Sequence, residues 1–367
     1  MSSKDDYRFM AKAIELAKNG LYTTDPNPRV GCVLVKHGVI VGEGWHDKAG
    51  GPHAEINALQ AAGDNAKGAT AYVSLEPCSH HGRTPPCSEA LINAQVTRVV
   101  AAMQDPNPVV AGNGLQLLAQ AGIAVTTGVM ESQAQSLNPG HIMRMNSGRP
   151  YVRSKLAMSL DGRTAMANGE SKWITGTAAR HDVHFLRARS SAIFTGIGTV
   201  LADDPALNVR IEHLHYFPPI RVIVDSALKM PPSVKMLSLP GRTVILTCSS
   251  DQQKVDKLIE KGAEIVRIES THNQVNLQQA FSRLAAMQIN EVLVEAGSTL
   301  NAALLQAGLI DEIIIYMAAK IMGDKARGLF DLKNIISMEQ SISLRIADIR
   351  AVGDDWRITA YPVIGAQ

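Results

Sequence analysis

The chain has 367 residues, which is long for a single domain, so two domains are the natural expectation. Its 36 basic and 34 acidic side chains nearly balance, and no block of consecutive lysines and arginines occurs, which argues against a basic nucleic-acid groove. No apolar run approaches the roughly 18 residues of a membrane span, and the charged start SSKDDYRF lacks the apolar segment of a signal peptide, so we expect a cytoplasmic protein without a membrane anchor.

The first part of the chain alternates helices with short strands. Apolar residues recur at helical spacing between Asp5 and Asn19, and the runs VGCVLV and VIVGEGW, joined at His37-Gly38, predict a hairpin. The later elements are a helix from His53 to Ala62, the strand ATAYVSL, a helix from Cys87 to Gln95, the strand TRVVAAM, a helix from Gly114 to Ala121, the strand IAVTTGV and a helix broken at Pro139. Together they predict an αβα unit.

A second domain is predicted after the break Gly148-Arg149-Pro150, where a fresh strand, YVRSKLAMS, begins. Further strand-like runs are AIFTG, IRVIVD, TVILTC, EVLVE and EIIIYM, and helices are predicted from Ala178 to Ala188 and from Leu277 to Met287. Because helices alternate with apolar strands, we expect a mainly parallel sheet covered by helices. The predicted fold class is α/β, with one domain of residues 1–147 and another of residues 148–367.

Three potential zinc ligands and one carboxylate occur in the first domain. His53 and Glu55 stand in the motif HAE, Cys78 follows a proline, and Cys87 follows two more prolines. One histidine and two thiolates leave the fourth corner of a zinc tetrahedron open, which is typical of a catalytic site that holds water. Zinc lowers the pKa of such water to about 7. Glu55, at the same helix start as His53, is predicted to carry the water proton to a departing amine.

The third ligand is ambiguous on spacing alone. The zinc-deaminase signature is H-x-E followed by P-C-x-x-C, whereas this chain has eight residues between its two cysteines. The segment Cys78-Ser79-His80-His81 therefore offers His81 as a rival ligand. We favour Cys87, because the helix predicted to begin there would hold its thiolate at a helix N-terminus.

Other candidate sites stay open from the residues alone. Asn27, held between two prolines, could present its amide to a ligand or form an ordinary Asx-turn. Gly196-Ile197-Gly198 follows a strand but lacks the third glycine of a dinucleotide fingerprint. The turn Glu295-Ala296-Gly297-Ser298 either offers free N–H groups to phosphate or is only a tight turn. Asp225-Ser226 closes a strand at the edge where ligands of open α/β sheets collect.

Motifs from both domains resemble one known family. HAE, EPCSHHGRTPPC and TTDPNPRVGCVLV in the first domain, with SLDGRTA, GESKWIT, VLADDPALNVR and VEAGSTLNAALL in the second, resemble the bifunctional riboflavin-biosynthesis deaminase/reductases of bacteria. The resemblance covers nearly the whole chain, and the family shares the eight-residue spacing between the cysteines. It implies a cytidine-deaminase-like αβα domain followed by a dihydrofolate-reductase-like α/β domain.

The resemblance implies two reactions on a phosphorylated pyrimidine. The first domain would hydrolyse the 2-amino group of a diaminopyrimidinone ribosyl phosphate to give an aminouracil. The ligands of its zinc would be His53, Cys78 and Cys87, and Glu55 would be the proton shuttle. The second domain would then reduce the ribosyl chain to ribityl with NADPH.

Family positions also carry over to binding residues. They imply NADPH contacts at Ala157, Trp173, Thr199, Asp203, Ser226, Gly297, Ser298, Thr299, Leu300, Asn301, Ala302 and Ala303. They imply substrate contacts at Ser171, Leu207, Arg210 and Glu295, and Asn27 is our candidate contact in the first domain. Arg210 suits a phosphate, since a guanidinium binds phosphate oxygens in pairs. We expect the protein to be a homo-oligomer, either a dimer or a tetramer.

Two functions from other classes compete with this interpretation. A tRNA or other nucleic-acid deaminase, with the second domain as an accessory binding module, would need a basic surface that the near-neutral charge does not supply. A folded binding protein with a purely structural zinc is disfavoured by the open fourth ligand position and by Glu55.

Overall fold

The structure, a computed structural model, describes residues 3–79 and 85–363. The chain divides into two compact units. The first consists of Met1–Gly148 with His215–Phe217, and the second consists of Arg149–Leu214 with Pro218–Gln367. Each unit is built on a sheet of its own.

The first unit contains a five-stranded sheet in the order β2-β1-β3-β4-β5. Its strands are β1 (Gly31–Lys36), β2 (Val39–Trp45), β3 (Thr70–Val73), β4 (Arg98–Ala101) and β5 (Ala124–Thr127). Its helices are α1 (Lys4–Ala17), α2 (Ala54–Ala62), α3 (Cys87–Asn93), α4 (Asn113–Gln120), α5 (Glu131–Leu137) and α6 (Pro139–Ser147). β1 is antiparallel to both neighbours, whereas β3, β4 and β5 are parallel. The predicted hairpin is β1–β2.

Helices cover both faces of this sheet, because successive side chains of a strand point in opposite directions. Val33 and Val35 pack in one core with α1 and α5, whereas Cys32 and Leu34 pack in another with α2, α3 and α4. A Cβ on Gly44 would lie 2.4 Å from the carbonyl oxygen of Ala54, so the close approach of α2 to β2 requires a glycine there. The unit has the predicted αβα layers.

The second unit contains a nine-stranded sheet in the order β11-β10-β9-β8-β14-β6-β15-β18-β17. The strands of this unit are β6 (Tyr151–Ser159), β7 (Arg163–Ala165), β8 (Ala192–Gly196), β9 (Ile220–Val224), β10 (Thr243–Thr247), β11 (Ala263–Arg267), β12 (Ser270–Thr271), β13 (Gln274–Val275), β14 (Glu291–Val294), β15 (Glu312–Ala318), β16 (Arg327–Gly328), β17 (Leu344–Val352) and β18 (Asp355–Pro362). The sheet is parallel from β11 to β15, as predicted.

The two strands at one side of this sheet were not predicted from the sequence. β18 is antiparallel to β15 and to β17, and the two strands are joined at Gly353, whose φ is 62°. β17 reads LRIADIRAV, and its side chains are almost all exposed. Charged residues interrupt its apolar residues, so it lacks the continuous apolar run by which the buried strands were found.

Helices also cover both faces of the second sheet. They are α7 (Thr177–Ala188), α8 (Ile197–Asp203), α9 (Gln252–Glu260), α10 (Leu277–Ala286) and α11 (Ser298–Gln306). Residues of α10 and α11 pack in one core with Val292 and Val294, whereas α7 packs against Leu293 from the other side. None of the helices within residues 3–79 and 85–363 combines the length and the apolar character that a membrane span needs.

Candidate functional sites

The three predicted metal ligands lie together in the first unit. His53 is the N-cap residue of α2, Cys78 lies in the segment after β3, and Cys87 is the first residue of α3. Nδ1 of His53 lies 3.6 Å from Sγ of Cys78 and 3.3 Å from Sγ of Cys87, and the three donor atoms all lie within 4.8 Å of one another. Ligand atoms of tetrahedral zinc are separated by about 3.6–3.8 Å, given bonds of about 2.1–2.3 Å. The donor set therefore fits zinc in both chemistry and spacing.

The N-terminus of α3 donates a hydrogen bond to the thiol of Cys78, and not to that of Cys87 as we expected. The backbone N–H of Cys87 donates to Sγ of Cys78 at 3.3 Å. Hydrogen bonds from the Cys87 side chain and from His53 hold the pKa of the Cys78 thiol well below its usual range, whereas the hydrogen bond to Cys78 and burial raise the pKa of Cys87. The first N–H of α3 thus stabilises the Cys78 thiolate rather than that of Cys87. Bound zinc would deprotonate both thiols.

The rival ligand His81 lies outside the described residues, so its exclusion remains a prediction. We expect Cys87→Ser to lose most of the bound zinc, because a serine hydroxyl stays protonated and is a poor zinc ligand. His81→Ala should keep close to one zinc per chain. Zinc content measured by atomic absorption on both purified variants separates the two ligand sets, and the reverse pattern would assign the third ligand to His81.

Glu55 lies in the first turn of α2, and only 3 % of it is exposed. Burial, reinforced by the thiolate of Cys78, raises the pKa of its carboxyl to about 7. A carboxyl that titrates near neutral pH can both accept a proton and release it. A buried carboxyl with a pKa near neutrality thus lies beside the three predicted ligands, where the sequence analysis predicted a proton shuttle.

Asn27 is oriented by a buried histidine next to the metal ligands. Nδ2 of Asn27 lies 3.1 Å from Nε2 of His46, and Nδ1 of His46 lies 2.9 Å from the carbonyl oxygen of Pro52. Because a carbonyl can only accept, Nδ1 of the neutral ring carries the proton and Nε2 accepts from the Asn27 amide. Burial lowers the pKa of His46, which favours this neutral form. The His46 ring meets the His53 ring edge-on, with 5.4 Å between centroids.

The candidate cofactor turns of the second unit lie at the carboxyl edge of its parallel strands. Gly196 ends β8, Ser226 follows β9, and Gly297 lies between β14 and α11. Because β9, β8 and β14 are neighbours in the sheet, the three turns are adjacent. Gly297 caps α11 without a side-chain hydrogen bond, so the first N–H groups of that helix have no capping side chain and suit a phosphate.

The predicted cofactor residues differ in accessibility. The side chain of Trp173 is 64 % exposed, and the guanidinium of Arg180 stacks on its ring at 4.6 Å. Asn301 is buried instead: Oδ1 accepts from the Ser154 hydroxyl at 2.6 Å, and Nδ2 donates to the Ala296 carbonyl at 2.7 Å. Its side chain therefore shapes the turn, and Ala302 beside it is also buried.

The remaining candidates are distributed over the same edge. They are Ala157 on β6, Thr199 and Asp203 on α8, Ser226 after β9, Ser298, Thr299, Leu300 and Ala303 on α11, and Ser171 in the loop before α7. The Asp203 carboxylate pairs with the exposed Lys172 ammonium at 3.2 Å. Ser226 accepts the backbone N–H of Val275 at its hydroxyl, at 3.1 Å.

Glu295 is held by an arginine that the sequence analysis did not single out. Arg187 on α7 donates from Nε to Oε1 at 2.6 Å and from Nη2 to Oε2 at 2.9 Å. Burial alone would raise the pKa of Glu295, but the charge and hydrogen bonds of Arg187 outweigh it, and the pKa falls to about 2. Lys155 on β6 belongs to the same charged group: burial lowers the pKa of its amine, and Glu295 opposes that shift. A lysine within a strand that helices cover is rare, and Lys155 could therefore have indicated a buried charged group from the sequence.

One face of α7 also holds the segment that carries Leu207 and Arg210. Nδ1 of His184 accepts the backbone N–H of Arg210 at 3.2 Å, and Arg187 donates to the carbonyl of Asn208 at 2.9 Å. Burial and the nearby arginines lower the pKa of His184 to about 4, so its ring is a neutral acceptor at physiological pH. Leu207 is buried with a φ of 44°, and Arg210 is exposed. The structure thus connects Leu207, Arg210 and Glu295 through α7.

Comparisons with known proteins match both units. A family model described as the cytidine and deoxycytidylate deaminase zinc-binding region matches residues 3–103, and the model of the RibD C-terminal domain matches residues 150–358. The chain is 50% identical over 363 residues to the riboflavin biosynthesis protein RibD of Escherichia coli, covering 96% of this chain and 98% of that protein. RibD of Haemophilus influenzae is 47% identical over 374 residues, covering 98% of each chain.

Solved structures give the same result. RibD of Acinetobacter baumannii, form 1, superposes with a TM-score of 0.92 at 48% identity, covering 98% of this chain and 99% of that one. A protein of Thermotoga maritima described as a diaminohydroxyphosphoribosylaminopyrimidine deaminase/5-amino-6-(5-phosphoribosylamino)uracil reductase superposes with a TM-score of 0.85 at 33% identity, covering 98% and 99%. Both predicted kinds of domain are therefore found, in the predicted order.

Proposed function

This chain belongs to the RibD family of riboflavin-biosynthesis proteins, and from that premise we propose which of its residues carry out the two reactions. It is a bifunctional enzyme with a zinc-dependent deaminase domain and an NADPH-dependent reductase domain. The predicted fold class is confirmed, and the full-length relationship favours this function over a nucleic-acid deaminase. We assign residues 1–147 to the deaminase and residues 148–367 to the reductase.

The substrates that we assign are those in the description of the Thermotoga maritima relative. The first is a diaminopyrimidinone that carries a phosphoribosylamino group, and the second is the aminouracil that deamination produces from it. The reductase then converts the ribosyl chain to ribityl. The two domains would accordingly act in chain order, with the product of the first as the substrate of the second.

In the deaminase domain, His53, Cys78 and Cys87 would hold zinc, which supplies an activated water at neutral pH. Glu55 takes a proton from the attacking water and delivers it to the leaving amine. Its pKa of about 7 supports both halves of that transfer. Asn27 contacts the substrate through an amide that His46 orients.

In the reductase domain, NADPH would supply the hydride, and the protein supplies binding and orientation. The N-terminus of α11 suits the cofactor phosphates. Thr199, near the beginning of α8, and Ser226, after β9, lie on the same edge of the sheet. Arg210 binds the substrate phosphate as a guanidinium fork. Glu295 and Lys155 contact the sugar, where the Lys155 ammonium can donate a proton to the ring oxygen as the sugar opens and is left as the neutral amine. Arg187 holds Glu295 in its ionised form.

The observation that carries the proposal is the convergence of one imidazole and two thiols beside a buried carboxyl of raised pKa. The test supplies purified protein with only the diamino substrate, and follows NADPH oxidation and ammonia release in parallel. Wild-type protein should release ammonia and then oxidise NADPH, and Glu55→Ala should abolish both. NADPH consumption that persists in Glu55→Ala would show that reduction does not need prior deamination, and would overturn the order of the reactions.

We also propose a homo-oligomer, a dimer or tetramer, in which a second copy of the chain covers β17. β17 lies at the side of the nine-stranded sheet, where its outer N–H and C=O groups are open to another strand. By register, Ile346, Ile349 and Trp356 point to the same side of the β17–β18 hairpin, and they are 57, 53 and 47 % exposed. An open edge strand with exposed apolar side chains favours pairing with β17 of a second chain.

The double substitution Ile346→Lys and Ile349→Lys should therefore lower the molar mass in solution toward that of a single chain of 39.4 kDa. Light scattering after size-exclusion chromatography measures it. Ile259→Lys is the matched control, since Ile259 on α9 is similarly exposed, at 51 %, but lies on a helix. An unchanged mass for the double variant would place the subunit contact elsewhere.

We place the enzyme in the cytoplasm. All four cysteines, Cys32, Cys78, Cys87 and Cys248, are free thiols. Two of them are proposed zinc ligands, which must stay reduced to bind the metal, and a reducing compartment meets that need.

A further inference from the structure

Glu76 is a buried carboxylate that neither reaction uses. It lies between β3 and the proposed zinc ligand Cys78, from which Pro77 alone separates it, and is 3 % exposed. Its carboxylate accepts four backbone hydrogen bonds. Oε2 accepts from the N–H groups of Asp105 at 3.1 Å and Gly112 at 3.0 Å. Oε1 accepts from those of Gly114 at 3.0 Å and Leu115 at 3.3 Å.

These donors belong to the loop after β4 and to the beginning of α4. Gly112 is the N-cap residue of α4, and it makes no side-chain cap. Its φ of 88° is a left-handed conformation that favours glycine. The N–H groups of a first helical turn have no partner within the helix, and its partial positive charge favours an anion. The carboxylate of Glu76 therefore takes the place of the missing cap, from a distant part of the chain.

The same helix end touches the peptide that leads to the metal ligand. A Cβ on Gly114 would lie 2.0 Å from the carbonyl oxygen of Pro77, so the first turn of α4 packs directly on the residue before Cys78. Cys78 is also held by α3, because its Sγ accepts a hydrogen bond from the backbone N–H of Cys87. The position of this sulfur is thus fixed by α4 through Glu76 and Pro77, and by α3 through Cys87.

We propose that Glu76 is a positioning residue for the zinc site, which fixes the segment Glu76–Cys78 on the N-terminus of α4 and thereby places the Cys78 thiolate. It is not a catalytic residue, because its four hydrogen bonds commit both oxygens to the backbone. The inference rests on Cys78 being a zinc ligand, as assigned under the proposed function. Glu76, in the sequence Glu76-Pro77-Cys78, would thus increase the affinity for zinc without taking part in the reaction.

The first test is Glu76→Gln in the full chain. A glutamine has nearly the same shape, but its NH2 group would face two backbone N–H donors, so two of the four hydrogen bonds are lost. Outer residues that orient ligands typically contribute about 10–100-fold to metal affinity, and we expect the zinc dissociation constant, measured by chelator competition, to rise by about that factor. Excess zinc should restore deamination in this variant, whereas it should not rescue Glu55→Gln.

Glu131→Gln is the matched control. Glu131 is another glutamate of the same unit, but it lies in the first turn of α5, is exposed and accepts a hydrogen bond from the side chain of Gln135. The Glu131→Gln protein should bind zinc as tightly as the wild type does. A folded Glu76→Gln protein with a zinc dissociation constant within about twofold of the control would overturn the proposal, since a positioning role predicts at least about tenfold. Reduction of prepared aminouracil substrate by the same sample reports that the reductase domain is folded.

A second measurement does not depend on a variant that folds. Binding coupling is reciprocal, so if Glu76 connects α4 to the ligand, removal of zinc from the wild type should loosen the amides that Glu76 holds. We expect hydrogen exchange at Gly112, Gly114 and Leu115 to accelerate by about tenfold after chelation, with Val100 in β4 unchanged. Unchanged exchange at the three amides would overturn the proposal. Wild-type protein that binds no zinc would instead refute the ligand assignment and with it the proposed deaminase.

Discussion

Replacement of Glu55 by glutamine should lower the rate of deamination by about a thousandfold while zinc remains bound. Glutamine keeps the shape of the side chain but cannot take up a proton, and positioned acid/base groups contribute about 10²–10⁴-fold to such reactions. The carboxyl of Glu55 is buried, and its pKa is raised to about 7, so no solvent-exposed group replaces it easily. Ammonia release at saturating zinc measures the effect.

Two controls belong to this experiment. Zinc content should stay at the wild-type level, because Glu55 is not one of the three clustered ligands. Reduction of separately prepared aminouracil substrate should also be unchanged, because Glu55 belongs to the first unit and the reductase residues to the second. Full deamination by a zinc-loaded Glu55→Gln protein would show that another group moves the proton.

Arg187→Met should destabilise the reductase domain by about 3 kcal/mol and abolish most of its activity, because removing one partner of a buried ion pair leaves the other charge uncompensated. The side chains of Arg187 and Glu295 are only 14 and 11 % exposed. Arg242 and Glu264 form a bidentate pair of similar geometry, but their side chains are 53 and 45 % exposed. Arg242→Met should therefore cost at most about 1 kcal/mol. Equal losses in the two variants, measured by urea unfolding, would contradict the argument.

The stability that the wild type has over Arg187→Met should decrease at low pH. Glu295 has a folded pKa of about 2 against an ordinary value of 4.5, so it binds protons more weakly in the folded protein. Its pair with Arg187 therefore contributes its full stability above about pH 4.5 and loses it as the pH falls toward about 2. The stability advantage of the wild type over Arg187→Met should shrink across that window.

The layers of the fold and the clustering of His53, Cys78 and Cys87 could be predicted because their signals are local. Apolar strands that alternate with helices predict a covered parallel sheet. His53, Cys78 and Cys87 could be recognised by residue type and order, whatever the residues between them are. The hairpin β17–β18 was missed, because its exposed strand alternates apolar with charged residues and gives no core signal.

Long-range polar contacts could not be predicted. Arg187 and Glu295 are separated by 108 positions, and Glu76 and Gly114 by 38, so no spacing rule joins them. A buried arginine or glutamate looks like a surface residue in the sequence, since most charged side chains are solvated. Lys155 and Arg187 were therefore not singled out.

The position of β6 has a consequence for synthesis on the ribosome. β6 is the first strand of the second unit, yet its neighbours in the sheet are β14 and β15, which begin at Glu291 and Glu312. Neither edge of β6 can therefore form its hydrogen bonds to a neighbouring strand until most of the chain has been translated. The sheet of the first unit has no such delay, since all of its strands precede Gly128. The deaminase domain can mature during translation, whereas a nascent chain that stalls before Glu291 exposes a strand with two unpaired edges and is prone to aggregate.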